Sequence, residues 1–162
     1  MTVLENLMFS GSSIKNDSFF QSIISTSSSK KYEKGLKDKA FEIMKDLNIE
    51  KMSESYAREL SGGQKKLLEL GRSLMKNPEL LMLDEPLAGV NPKLAEDLLE
   101  KIKNLSDQGI TILMVEHNIE AVMKISERVV VLAEGQVIAE GSPQDVRNNN
   151  KVIEAYLGTA DE

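Results

Sequence analysis

Two short stretches decide the fold: LSGGQKK at residues 60–66 and LLMLDEP at residues 80–86. The first places a serine and two glycines directly before residues 64–76, whose apolar side chains share one helical face, so a helix with Ser61 as its N-cap is predicted. A capped helix start beside bare glycines can bind an anion, because free N–H groups and the helix dipole favour negative charge. An ordinary capped loop explains the first stretch equally well.

The second stretch predicts a buried strand over residues 80–83 whose carboxyl end opens into a site. Asp84 is placed where a hard cation could be held through oxygen. Glu85 is placed where it could orient or deprotonate a water molecule. Taken alone, a core strand followed by a solvated acidic turn is the more common explanation of such a pattern.

Together the two stretches resemble the signature and Walker B motifs of the ATP-binding cassette (ABC) ATPases, at a spacing that fits that family. Residues 87–92, LAGVNP, resemble its D-loop, and His117, which follows a second apolar strand, resembles its switch histidine. Four motifs in the family's order are a far more specific signal than any one of them. The AGVNP form of the D-loop and the sequence near residues 152–158 are similar to the branched-chain amino acid importers of the family.

The resemblance implies an α/β fold: a P-loop NTPase-like (ABC ATPase) parallel sheet portion plus a mostly helical lobe, truncated at the N-terminus. It divides the chain into a signature-bearing helical lobe at 1–76, an α/β core with Walker B and the switch histidine at 77–142, and a C-terminal helical tail at 143–162. It also implies ATP and Mg²⁺ as the bound groups. Partners implied by the family are a second ABC ATPase subunit, in a homodimer or a heterodimer, and the membrane permease subunits.

The resemblance assigns a role to each motif residue. Glu85 would polarise the attacking water, His117 would contact the γ-phosphate, and Asp84 would hold Mg²⁺ through water. Each nucleotide of an ABC dimer lies between the phosphate loop of one subunit and the signature of the other. The residues that would meet a nucleotide held by the partner are Ser61, Gly62, Gly63 and Gln64, and the D-loop residues are Ala88, Gly89, Val90 and Asn91. Lys65 and Lys66 are expected to be solvated helix positions.

A phosphate loop of the form Gly-x4-Gly-Lys-Ser/Thr is absent from the sequence, because no glycine is followed by another five positions later. Without it, the lysine and the backbone cradle for the β- and γ-phosphates are missing. We therefore expect the family's preceding strand–loop–helix half to lie outside this chain. We also expect no appreciable ATPase activity from the chain alone, and exposed strand edges and apolar surface beside the Walker B strand.

Composition limits the classes of function. The chain has 162 residues, 41% of them hydrophobic, which is enough for a packed core, and its net charge of −6 disfavours a broad nucleic-acid-binding surface. Cysteine is absent, which excludes disulfides and thiolate metal sites. No run approaches the ~20 apolar residues of a membrane span, and Glu5 argues against a secretory signal. We expect a protein on the cytoplasmic face of the cell membrane, peripheral and without a transmembrane segment of its own.

Local patterns predict the remaining elements. Thr2 and Glu5 fit a capping box, and residues 10–31 read as a polar loop or insertion with one short apolar contact. Asn91 and Pro92 are expected to open a helix as N-cap and first residue. Further predictions are a helix at 35–47, strands at 110–115, 128–132 and 136–139, a hairpin turn at 134–135, and the one apolar contact from Phe19, Phe20, Ile23 and Ile24.

Three functions remain open from the sequence. The first is an ATP-binding subunit of an ABC transporter, which couples ATP hydrolysis to solute transport, here without its own phosphate loop. The second is a non-hydrolytic partner module that supplies only a signature face to another subunit. The third, a DNA-repair or chromosome-associated ABC protein, is disfavoured by the acidic pI and by the importer-like tail. The first two differ in whether the coding DNA upstream of Met1 encodes a phosphate loop.

Overall fold

The structure is a computed structural model that describes residues 1–12 and 27–157. Contacts divide the chain into two compact units, one from Met1 to Met114 and one that begins at Val115. The division of the sequence at residues 76 and 142 stays a prediction. The helices and strands up to the boundary are α1 (Val3–Gly11), α2 (Ser27–Asp46), α3 (Gly62–Leu74), β1 (Leu80–Asp84), α4 (Pro92–Asp107) and β2 (Thr111–Val115), with 3₁₀ turns at Glu50–Met52 and Ala57–Glu59.

Helix α1 starts with the predicted capping box. The Glu5 N–H donates to Thr2 Oγ1 at 3.2 Å, and the Thr2 N–H donates to Glu5 Oε2 at 2.8 Å. The next free N–H of the helix, on Val3, donates to the Ser55 carbonyl at 3.0 Å. This bond ties the start of α1 to the segment that leads into the signature stretch.

Three helices pack around Gly71 of α3. A Cβ at Gly71 would lie 3.0 Å from Leu7 Cδ2, 3.1 Å from Leu47 Cδ1 and 3.4 Å from Ile43 Cγ2. The absence of a side chain therefore lets α3 approach the other two helices closely. The core of this region is apolar throughout: Val3, Leu4, Leu7, Ala40, Ile43, Met44, Leu47, Leu67, Leu68, Leu70 and Leu74 are buried.

A lysine from α2 holds the end of α3. Lys39 Nζ donates to the Met75 carbonyl and to Asn77 Oδ1, both at 2.6 Å. Burial lowers the pKa of this ammonium, and Glu42 opposes the effect. A cation at a helix C-terminus also interacts favourably with the helix dipole, so Lys39 stabilises the C-terminal end of α3.

Helix α2 begins at Ser27, earlier than the predicted start at residue 35. The loop prediction is wrong for residues 27–31, which are helical, and its apolar contact at residues 19–24 lies outside the described residues. The residues from 30 to 35 are exposed, so the first turns of α2 bury no apolar stripe that the sequence could reveal.

Strands β1 and β2 form a small parallel sheet, with α4 as the connection between them. Pairing is anchored where the Thr111 N–H donates to the Glu79 carbonyl at 2.9 Å. Only one face of β1 is covered: Leu81 is 5% exposed, whereas Leu80 and Met82 are 53% and 69% exposed. The prediction of a buried strand is therefore wrong for one face, and the predicted exposed apolar surface is confirmed.

The second unit is built on an antiparallel hairpin of β3 (Val129–Ala133) and β4 (Gln136–Gly141). Both turn residues have positive φ, 50° at Glu134 and 76° at Gly135, which is the geometry of a two-residue type I′ turn and confirms the predicted hairpin. The buried core is Val129, Ala139, Val146 and Val152, packed with Val122, Met123, Val131 and Ile138.

Short helices complete this unit. They are α5 (Ile119–Ile125), α6 (Pro143–Arg147), α7 (Asn150–Val152) and a single π-helical turn at Ile153–Leu157, so the predicted tail is several short segments. The Tyr156 hydroxyl donates to the Leu132 carbonyl at 2.5 Å and holds the last turn against β3. The predicted end of the tail, residues 158–162, lies outside the described residues. Across the described ranges, no helix is both long and apolar enough to cross a membrane.

Candidate functional site

The start of α3 and the end of β1 lie side by side. Lys66 Nζ donates to the Glu85 carbonyl at 3.4 Å, and a Cβ at Gly62 would lie 3.8 Å from the Gly89 carbonyl oxygen. The signature stretch and the loop after the carboxylates therefore form one continuous surface.

Ser61 is the N-cap of α3, as predicted. The Gln64 N–H donates to Ser61 Oγ at 3.3 Å, and the Ser61 N–H donates to Gln64 Oε1 at 2.9 Å. Each side chain thus satisfies a backbone donor of the other, and Ser61 and Gly62 stay exposed. The first turn of α3 is held in shape while its outer surface remains open to an anion.

The two glycines of the signature stretch have different surroundings. A Cβ at Gly63 would lie 2.0 Å from Leu94 Cδ2, so the space beside Gly63 is filled by a side chain of α4. A Cβ at Gly62 would meet only the Gly89 carbonyl, at the ordinary contact distance of 3.8 Å. Gly63 therefore serves packing against α4, and the role of both glycines towards a nucleotide stays a prediction.

The carboxylates stand at a backbone position of uncommon shape. Asp84 ends β1 and is exposed, and the exposed Glu85 that follows has φ of 44°, a left-handed conformation that costs a non-glycine residue roughly 1–2 kcal/mol. The chain continues into buried Pro86 and Leu87, which anchor the turn from below. Such strain recurs at functional sites, where the surrounding structure enforces it.

The D-loop stretch consists of tight turns. The Ala88 N–H donates to the Glu85 carbonyl at 3.1 Å, and the Val90 N–H donates to the Leu87 carbonyl at 3.2 Å. Asn91 closes the loop as the N-cap of α4, where its Oδ1 accepts from the Leu94 N–H at 3.1 Å. The predicted cap at Asn91 is confirmed, and this side-chain oxygen is engaged within its own loop.

A cavity of about 160 Å³ lies between α3, β1 and α4. Its polar end carries Lys66 and Asp84, and the rest of its lining is mainly apolar. Lys66 is half-buried here, whereas Lys65 is exposed, and both lie in helix α3 as predicted. The full lining is Lys66, Glu69, Leu70, Ser73, Met82, Leu83, Asp84, Pro86, Leu98 and Ile102.

His117 belongs to the second compact unit. Its side chain is 72% exposed, and its Nδ1 lies 3.9 Å from Oε2 of Glu116, whose side chain is fully buried. Asn118 then caps α5, since its Oδ1 accepts from the Ala121 N–H at 3.1 Å. The predicted switch residue is thus an exposed imidazole between the buried side chain of Glu116 and the N-cap residue Asn118. Glu116 was not singled out from the sequence, which gives no sign that its side chain is buried.

The donor set at Asp84 fits Mg²⁺ as the family holds it. This ion keeps several waters and takes one or two protein carboxylates together with phosphate oxygens. In the part of the chain that the structure describes, no group of three His, Cys, Asp or Glu side chains could hold a metal ion by itself.

This chain belongs to the ABC transporter family. The sequence model of that family matches residues 1–88, which are more than half of the chain. The model of a narrower family, the branched-chain amino acid ATP-binding cassette transporter, matches residues 136–162. The suspected family and the predicted fold class are both confirmed, and with them the nucleotide-binding character of the family.

Similar curated proteins are ATP-binding proteins of branched-chain amino acid transport. The LivG protein described as probable in Archaeoglobus fulgidus is 43% identical over 99% of this chain and 62% of its own length. The high-affinity proteins BraF of Pseudomonas aeruginosa and LivG of Escherichia coli K12 are each 37% identical over 99% of this chain and 63% of their own length. This chain thus spans less than two thirds of these relatives.

Solved structures agree with the sequence relatives. An ATP-binding cassette of an ABC transporter in its ADP conformation is 38% identical with a TM-score of 0.76, over 98% of this chain and 63% of that one. A metal-chelate type ABC transporter in an inward-facing conformation has a TM-score of 0.80 at 19% identity, over 98% of this chain and 58% of that one. The second likeness concerns the fold alone.

Proposed function

We propose that this chain is part of an ATP-binding subunit that couples ATP hydrolysis to the transport of branched-chain amino acids. The observation that carries the proposal is the bond from Lys66 Nζ to the Glu85 carbonyl, which joins the first turn of α3 to the turn after the carboxylates. The names of the relatives support the solute class. ATP and Mg²⁺ would supply the phosphoryl group and the charge that the site handles.

The residues of this chain would divide between two nucleotides. Ser61, Gly62 and Gln64 would face a nucleotide held by a second ABC subunit, with free N–H groups of α3 as donors to its phosphates. Gly63 would let α4 support that turn. The loop from Ala88 to Asn91 would lie against the partner subunit.

The other set would act on a nucleotide bound to a phosphate loop that this sequence does not contain. Asp84 would hold Mg²⁺ through water, and Glu85 would orient and polarise the attacking water. His117 would contact the γ-phosphate. The left-handed backbone of Glu85 would end the strand at this residue, so that its carboxylate lies in the turn after β1. Membrane permease subunits, at the cytoplasmic face of the membrane, are the proposed partners in transport.

Two complementary assays test this proposal against a non-hydrolytic module. In the first, the chain is joined to the phosphate-loop half of a relative, and ATP hydrolysis is measured. We expect no turnover by the chain alone, turnover by the joined protein, and a loss of about 10²–10⁴-fold on Glu85→Gln, the range for a lost general base. Turnover by the isolated chain, or turnover by the joined protein that Glu85→Gln leaves undiminished, would refute the assigned role.

In the second assay, the chain is mixed with a complete subunit whose own signature has been disabled. A partner module would restore turnover here, lose it on Gly62→Val, and be indifferent to Glu85→Gln. If only this assay gives activity, the alternative is correct: the chain supplies a signature face and no catalysis. Gly35→Val, in α2 and in open space, is the matched control for the glycine substitution.

A further inference from the structure

The turn that carries Glu85 is held both by its own backbone and by a side chain of α3. Glu85 has a left-handed φ of 44°, and such a conformation persists only where the surrounding structure enforces it. Within the turn, the Ala88 N–H donates to the Glu85 carbonyl at 3.1 Å. From outside the turn, Lys66 Nζ donates to the same carbonyl oxygen at 3.4 Å. One backbone oxygen therefore accepts from two directions.

Lys66 reaches this oxygen from the cavity between α3, β1 and α4. Lys66 is half-buried, and it lines the cavity together with Leu70, Met82 and Pro86. A lysine in such a place lays its carbon stem along apolar surface and keeps its ammonium at the polar end. The apolar lining therefore favours a position of the ammonium from which it can donate to the Glu85 carbonyl.

Two carboxylates also surround this ammonium. Glu69 and Asp84 line the same cavity, and both residues are exposed. An ion pair with either one would contribute little, because water screens exposed charges and both partners have mobile side chains. The bond to the Glu85 carbonyl differs from such a pair, because it holds a main-chain atom of the turn itself.

We propose that Lys66 is a positioning residue, whose ammonium holds the Glu85 carbonyl and so fixes the direction in which the Glu85 side chain leaves the turn. This role rests on the proposed function, in which Glu85 orients the attacking water. A general base must lie within hydrogen-bond reach of the proton that it removes, so a turn that relaxes would misplace the carboxylate. Because Lys66 follows Gln64 by two positions, this support comes from the end of α3 that carries the signature residues.

Carbon-13 NMR of the full chain tests the bond in the absence of nucleotide. Lys66→Met keeps an unbranched side chain and removes the ammonium. The Glu85 carbonyl carbon should then move to lower chemical shift, because its oxygen loses a charged donor, and Lys66→Arg should restore most of the original value. The matched control is Lys65→Met, which changes the net charge equally at an exposed position and should leave this carbonyl unmoved. Circular dichroism checks that every variant is folded.

The protein joined to the phosphate-loop half of a relative gives the catalytic measurement. We expect Lys66→Met to lower kcat about tenfold, which corresponds to about 1.4 kcal/mol in the activation barrier. The KM for ATP should stay unchanged, because the lost interaction is with the turn and not with the nucleotide. Lys66→Arg should recover most of kcat, and Lys65→Met should keep all of it.

Three results would overturn the proposal: an unmoved Glu85 carbonyl in Lys66→Met, an equal movement in Lys65→Met, or a raised KM with an unchanged kcat. The last result would make Lys66 a nucleotide-binding residue instead. The proposed function can fail separately. If the carbonyl moves in Lys66→Met while the joined protein shows no turnover that depends on Glu85, the proposed function is refuted and the bond between Lys66 and the turn is supported.

Discussion

Two glycines inside helices allow packing to be separated from backbone propensity. Gly35 lies within α2 and a Cβ there would meet nothing within 4 Å, whereas Gly71 lies within α3 against Leu7, Leu47 and Ile43. Replacement by alanine gives both helices the same backbone gain of about 0.8–1 kcal/mol. Gly35→Ala should therefore raise the free energy of unfolding by that amount.

Gly71→Ala should lower it instead. Leu7 and Leu47 stand at 3.0 and 3.1 Å from the new methyl group and must give by a few tenths of an ångström, whereas Ile43, at 3.4 Å, is at ordinary contact distance. Overpacking of this kind costs about 1–3 kcal/mol. After the backbone gain is subtracted, the net loss is about 0–2 kcal/mol, and the two variants should differ by about 1–3 kcal/mol. The position of α3, and with it Ser61 to Gln64, depends on this contact.

Urea unfolding followed by far-ultraviolet circular dichroism measures both variants. A shift of the midpoint with an unchanged m-value reports stability rather than a change in the unfolded chain. If Gly71→Ala proves as stabilising as Gly35→Ala, the close approach of α1, α2 and α3 at Gly71 is wrong. If Gly35→Ala fails to stabilise, the helical assignment of the early part of α2 is wrong.

Two further outcomes concern the second unit. Glu134→Asn should stabilise the hairpin by about 0.5–1 kcal/mol, because asparagine adopts a left-handed φ more readily than glutamate does. Thermal melting measures this change in stability. Destabilisation by the substitution would contradict the type I′ turn. The Ser142 hydroxyl and N–H donate to Asp145 and hold the pKa of that carboxyl below its ordinary value. The stabilisation of the folded state by this carboxylate is complete above the ordinary aspartate pKa and is lost as the pH falls through the lowered value. Carbon-detected NMR titration should show Ser142→Ala moving the midpoint upward, and an unchanged midpoint would remove the hydroxyl as the cause.

Local chemistry was readable because it depends on neighbours in sequence. The caps at Thr2, Ser61 and Asn91 each join a side chain to a backbone N–H three residues on, so sequence spacing alone reveals them. The hairpin at residues 134–135 follows the same logic, since two turn residues set the twist of both strands. The family resemblance was equally visible, because its motifs are short and ordered.

Other features depend on residues far apart in the chain. The start of α2 was missed because its first turns are exposed and carry no apolar stripe. The half-burial of Lys66 and the exposure of Met82 follow from which elements pack on which face, and no pattern within either segment reports that.

The sequence by itself determined the family, the helix caps, the hairpin and the order of the motifs, because each rests on residues within a few positions of one another. Only the tertiary structure decided the roles of the paired glycines. Leu94, 31 positions further along the chain, fills the space beside Gly63, whereas a Cβ at Gly62 would meet only the Gly89 carbonyl, at 3.8 Å. The physical reason is steric: two adjacent residues of identical chemistry differ only in what the folded chain places beside them.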